Sequence, residues 1–142
     1  KAHNLAKPEF FLFCDSDILF HPQWHHTLTT AWQEHQHLPL GVISGYRWPS
    51  HPTDNITIGA TTQLNILRFV TGCCMFMSAA SFQTTGLWDT RVLIRKVDTD
   101  YCRRIQAHGM LCASIHPNSV IEHTGRDART WNIKSGQPRL LP

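Results

Sequence analysis

Phe10-Phe11-Leu12-Phe13-Cys14-Asp15-Ser16-Asp17 carries four apolar residues and a cysteine straight into two carboxylates separated by one serine. An apolar run without polar alternation fits a strand covered on both faces, and such strands in α/β domains open their ligand crevice at the carboxyl end. Asp15 and Asp17 stand at that end. In extended backbone, positions two apart point to one side, so both carboxylates converge on a single divalent cation while Ser16 turns away. The competing reading is a plain turn, because short polar side chains bond their own backbone and leave a strand readily.

The length of 142 residues fits one domain with a real core, and 42% hydrophobic with 16% charged residues is a globular composition. The formal net charge of +3 is dispersed, without a run of Lys or Arg, which argues against a nucleic-acid partner. His25-His26 and His35/His37 fall on or beside a surface helix and read as solvated, for want of metal-ligand spacing. The five cysteines, Cys14, Cys73, Cys74, Cys102 and Cys112, form no CxxC pair, and three lie inside apolar runs. A reduced, cytoplasmic setting is expected. No apolar run approaches the roughly 20 residues that span a bilayer, and no signal-peptide pattern opens the sequence. The sequence starts at Lys1 and not at methionine, and Ala2 to Ala6 reads as the tail of a helix entering from upstream, so a piece of a longer protein is expected.

Outward from the carboxylates, Trp24, Leu28, Ala31 and Trp32 recur at helical spacing to about Gln36. Leu40 to Tyr46 is a second strand, and 47–55, with two prolines, a loop. The apolar run Phe69 to Ser78 is a third strand with Gly72 inside it, where a glycine marks a bulge or a close approach to the backbone. Ala79 to Thr84 forms one or two helical turns ending near Gly86. Asp98 opens a helix with Tyr101, Cys102 and Ile105 as its apolar stripe and Gly109 as its stop. Leu111 to Ile115 and Ser119 to Ile121 are short strands, and the segment from Gly125 is a polar tail. Strands alternating with helices give an α/β fold with a mixed sheet flanked by helices, in a single domain over 1–142.

Two further places carry chemistry. In Asp98-Thr99-Asp100-Tyr101-Cys102-Arg103-Arg104, Asp98 suits a helix N-cap, and Asp100 with Arg104 makes an i,i+4 pair. Alternatively, Asp98 faces the crevice as a general base that takes a proton from an attacking hydroxyl. His123 closes the last strand, either held by ordinary hydrogen bonds or arriving as a third metal ligand.

Taken in order, Asp15-Ser16-Asp17, Thr71-Gly72-Cys73-Cys74-Met75, Gly86-Leu87-Trp88-Asp89, Asp98-Thr99-Asp100 and His123 resemble the GT-A glycosyltransferases of family 2. The resemblance implies a Rossmann-like domain that uses Mn²⁺ or Mg²⁺ to transfer a sugar from a nucleotide-diphospho-sugar to an acceptor hydroxyl. It assigns Asp15 and Asp17 to the DxD motif, Asp17 on the metal and Asp15, with Ser16, nearer the donor. Asp98 becomes the inverting base, Gly72, Trp88 and Asp89 line the acceptor side, and His123 lies near the metal or diphosphate. Two departures stand out. Val97 occupies a position that is often glutamate in that family, and the nucleotide-binding first half is missing, making the chain a partial domain. Peripheral membrane association is compatible with this reading.

Two rival functions fit parts of the pattern. A phosphatase of the haloacid dehalogenase type would use Asp15 as nucleophile, Asp17 as acid/base and Ser44 as phosphate ligand. A non-catalytic nucleotide-sugar binding module would keep the metal site without turnover.

Overall fold

The computed structural model describes residues 8–47, 53–92 and 96–124. The expected helix tail at Ala2 to Ala6, the middle of the loop at 47–55 and the polar tail from Gly125 lie outside them.

The elements in chain order are β1 (Phe10–Cys14), β2 (Ile18–Phe20), α1 (Trp24–Glu34), β3 (Leu40–Ser44), β4 (Ile56–Ile58), β5 (Gln63–Leu67), β6 (Cys74–Ser78), α2 (Ala79–Thr85), α3 (Val97–Ala107), β7 (Leu111–His116) and β8 (Ile121–His123). Six strands form one mixed sheet in the order β1-β6-β3-β7-β5-β4, while β2 and β8 pair separately. Only β3 and β7 run parallel; every other neighbouring pair is antiparallel. The α/β fold with a mixed sheet is as expected. The expected list of elements lacks β2, β4 and β5.

Period-two alternation sends side chains to two cores. On one face Ile43, Leu64, Cys74, Phe76, Ala113 and Ile115 pack with Leu28 and Ala31 of α1. On the other, Val42, Met75, Met77 and Cys112 pack with Tyr101, Cys102 and Ile105 of α3. Leu40 and Val42 are two apart yet lie in different cores, because the β3–β7 register shifts between them. The fully buried side chains include Leu28, Ile43, Leu64, Met75 and Met77, each contributing roughly 1.5–3 kcal/mol relative to exposure. β1 is the sheet edge with one partner strand; Phe10 and Leu12 pack against one core and Phe11 and Phe13 against the other, so both faces are covered, though each of these residues is only half-buried.

Several boundaries differ from the sequence expectation for identifiable reasons. β6 starts only at Cys74, so Gly72 lies in the turn before it and not within a strand. The position capping α3 is Lys96, without a side-chain cap bond, and Asp98 sits inside the first turn. Asp100 and Arg104 do pair, at 3.2 Å. β3 stops at Ser44, and the final strand is Ile121–His123, pairing with β2 rather than extending the main sheet.

His35 also departs from expectation, being fully buried instead of solvated. It follows the last residue of α1 and lies beneath the β4–β5 turn, where a Cβ on Gly59 would stand 3.0 Å from its Nε2 and collide with the Glu34 carboxylate. Glu34 anchors that turn. Its Oε1 accepts from Thr61 N–H at 2.9 Å and Thr61 Oγ1 at 2.7 Å, and its Oε2 from Thr62 N–H at 2.9 Å and Thr62 Oγ1 at 2.6 Å. The Thr62 and Thr61 hydroxyls, ahead of the two amides, lower its pKa from 4.5 to about 2. A carboxyl depressed in the folded state stabilises the fold above its unfolded pKa, and that contribution is lost as pH falls through the folded value. Thermal unfolding of Glu34→Gln is therefore expected to lose part of the acid dependence that the parent shows between about pH 4.5 and 2. Parallel Tm-against-pH curves for the two proteins would remove Glu34 as the anchor.

Candidate functional site

β1 ends at Cys14 and β2 begins at Ile18, so Asp15-Ser16-Asp17 is the turn that joins them and not a continuation of the strand. The turn and the carboxylate cluster, posed as alternatives by the sequence, coexist. Backbone bonds set the turn: Asp15 N–H donates to Cys73 O at 3.1 Å, and Asp17 O accepts from Thr124 N–H and Thr124 Oγ1, both at 2.9 Å. The β2–β8 pairing places Ile18 opposite His123, which delivers the imidazole to the residues just before β2.

His123 Nε2 lies 3.3 Å from Asp17 Oδ1 and 3.7 Å from Asp15 Oδ2. One ligand atom from each of the three residues lies within 4.8 Å of the others. The Asp15 and Asp17 side chains are 56% and 42% exposed and that of His123 only 15%, so two open carboxylates stand before a recessed imidazole. The two carboxylates suit Mg²⁺ or Mn²⁺, and the imidazole, a donor more typical of the transition metals, favours Mn²⁺ of the two. Adjacent ligands around an octahedral cation at about 2.1 Å stand roughly 3 Å apart, near the 3.3 Å from Nε2 to Asp17 and shorter than the 3.7 Å to Asp15, which a side-chain rotation would close. The residues present fit such an ion.

Asp98, part-buried, lies across a short turn from this group. Its Oδ2 accepts from Gly72 N–H at 3.3 Å, and its Oδ1 from Thr99 N–H at 2.7 Å. A Cβ on Gly72 would stand 3.2 Å from the Asp98 Cβ, the close approach that a glycine in this segment pointed to. The next residue, Cys73, gives its carbonyl to Asp15 N–H. Consecutive residues of one turn thus reach both acidic centres.

Trp88 stacks on Tyr101 with centroids 3.9 Å apart and planes at 10°, and packs against Phe13 at 4.3 Å. Tyr101 is fixed in turn by its hydroxyl, which donates to Gly86 O at 3.0 Å. Asp89 is engaged by Arg91, whose Nε and Nη2 donate at 3.0 and 2.8 Å and whose N–H donates at 2.9 Å. The Arg91 side chain, followed by its amide, holds the Asp89 carboxyl down at about 2.

Two neighbours of the site carry no local sequence signal. The Tyr46 ring stands 6.2 Å from that of His123, and burial, followed by the nearby Cys73, pushes its phenol above the ordinary value. Burial pushes the Cys73 thiol up to about 11, opposed by its contact with Thr71 and assisted by the charge of Asp15. Both residues arrive just after β3 and in the turn before β6, 29 or more positions from either Asp17 or His123 along the chain, so only the fold brings them in. No helix among the described residues is long and apolar enough to cross a membrane. No protein-family model and no curated protein sequence matches the chain, and the site stands on its own geometry.

Proposed function

We propose that this protein is a metal-dependent, inverting glycosyltransferase of GT-A type, moving a sugar from a nucleotide-diphospho-sugar to an acceptor hydroxyl. The observation that carries the reading is the turn at Gly72-Cys73, which joins the Asp15/Asp17/His123 group to Asp98 through adjacent residues. A cation-binding group and a single carboxylate tied to the same turn are what displacement of a diphosphate by a hydroxyl requires.

Mn²⁺ or Mg²⁺ held by Asp15, Asp17 and His123 would supply positive charge to the departing diphosphate. Asp15 and Ser16 face the donor. Asp98 takes the proton of the acceptor hydroxyl on Oδ2, which accepts only from Gly72 N–H and keeps a second lone pair, while Thr99 N–H and Thr99 Oγ1, at 2.7 and 3.5 Å, hold Oδ1. Gly72, Trp88 and Asp89 form the acceptor side, with the indole fixed by Phe13 and Tyr101 so that binding orders little further. The phosphatase alternative loses its phosphate ligand: Ser44 is fully buried, and its hydroxyl donates to Tyr46 O at 3.1 Å.

The test measures release of nucleoside diphosphate from a panel of nucleotide-sugars, with Mn²⁺ and then with EDTA. Metal-dependent release supports the proposal. Release of inorganic phosphate from a phosphomonoester, accompanied by a phospho-aspartate at Asp15, would transfer the site to the phosphatase reading, and metal-dependent donor binding without turnover would leave a binding module.

A further inference from the structure

Cys14 and Cys74 stand directly opposite each other on the antiparallel strands β1 and β6. The bond from Asp15 N–H to Cys73 O flanks this pair on one side, which makes it a non-hydrogen-bonded pair of the ladder. The bond from Ala79 N–H to Glu9 O gives the same phase for Phe10 opposite Ser78, four residues away, so the alternation is consistent along the strand. Residues so paired project to the same face with Cα atoms roughly 4.5 Å apart, inside the roughly 4.4–6.8 Å that a disulfide spans.

The two thiols differ in access. Cys14 is exposed at the sheet edge, whereas Cys74 is fully buried. Cys73, Cys102 and Cys112 are buried as well, so among the five cysteines only Cys14 is open to a reagent. Cys102 and Cys112 also approach each other, the Cys112 thiol donating to Cys102 O at 3.9 Å, but that pair has no exposed member. The Cys74 sulfur rests over Gly45, just past the end of the neighbouring strand β3, where a Cβ would come within 2.7 Å of it, so reaching Cys14 takes a rotation about χ1 towards β1.

We propose that Cys14 and Cys74 form a disulfide site, closed by low-molecular-weight disulfides such as oxidised glutathione, at the strand end that leads into Asp15. Cys14, as its thiolate, attacks one sulfur of the small disulfide; the S–S bond breaks, a mixed disulfide forms and one thiol leaves. Cys74 then attacks the Cys14 sulfur, the mixed disulfide breaks, the cross-strand bond forms and the second thiol leaves. Two protein thiols are oxidised, one small disulfide is reduced, and the two protons end on the two departing thiols. Burial pushes the Cys74 thiol up to about 12, which makes it the slow, resolving partner and Cys14 the entry point. The bond forms or fails whether or not the neighbouring carboxylates hold a cation.

The experiment incubates the folded chain with oxidised glutathione, alkylates the remaining thiols and maps non-reduced peptides by mass spectrometry. The expected product is a linked pair of peptides holding Cys14 and Cys74, lighter by two hydrogens and reversed by dithiothreitol. Cys14→Ser should abolish the link. Cys74→Ala, which keeps an apolar side chain over Gly45, should stop the reaction at a persistent glutathione adduct on Cys14. A parent chain that stops at that adduct, or a link through Cys73, Cys102 or Cys112, would overturn the proposal.

Discussion

Replacing Asp98 with asparagine is expected to lower sugar transfer by about 10²–10⁴-fold while metal-dependent donor binding persists. The loss corresponds to roughly 2.7–5.5 kcal/mol of transition-state stabilisation. The change is nearly isosteric. An asparagine carbonyl still accepts one of the two N–H bonds now made by Gly72 and Thr99, so the turn before β6 is kept. What disappears is the proton acceptor, together with a charge in the first turn of α3 that is worth about 0.3–1 kcal/mol against the helix dipole. Steady-state turnover with a matched donor-binding titration separates the two effects. Unchanged turnover would sink Asp98 as the base, and a parallel loss of donor binding would assign it to the donor site.

The second large effect is on the metal. Asp15→Asn with Asp17→Asn is expected to weaken Mn²⁺ binding at least ~100-fold, beyond the 10–100-fold that altering an outer-shell partner alone costs. The fold should tolerate the change, because the bonds that shape the turn come from the backbone: Asp15 N–H to Cys73 O, and Thr124 to Asp17 O. Stability without metal should move by no more than about 0.5 kcal/mol, as for ordinary surface substitutions. Mn²⁺ at 100 times its dissociation constant stabilises the parent by about 2.7 kcal/mol, and the double variant should lose that increment. Calorimetric titration and Tm with and without Mn²⁺ read both. Equal Mn²⁺ affinity in the two proteins would free these carboxylates of any role in metal binding.

Periodicity made much of the molecule legible. The spacing of Trp24, Leu28, Ala31 and Trp32 gave α1, and the Tyr101, Cys102, Ile105 stripe with Gly109 gave α3, since both helices bury one face on the sheet. The three elements missing from the sequence reading are short or polar in pattern. β2 and β4 have three residues each, and β5 carries Gln63 and Asn65, strand-poor residues that pairing to β7 accommodates. His35 was misread because its burial comes from the β4–β5 turn, supplied by residues more than 20 positions away and invisible in the α1 pattern.

The sequence by itself determined that Asp15 and Asp17 follow an apolar strand, that His123 ends another and that Asp98 lies at the beginning of a helix, in its first turn, because each is a local consequence of side-chain pattern. Whether these groups meet was decided only by tertiary structure. Ile18 pairs opposite His123 and so sets the imidazole beside Asp17, and the turn at Gly72-Cys73 bonds Asp98 on one residue and Asp15 on the next. Register and turn contacts join residues up to 107 positions apart, as the bond from Thr124 to Asp17 does. A one-residue slip in either pairing would carry a ligand to the opposite face, which no local propensity encodes.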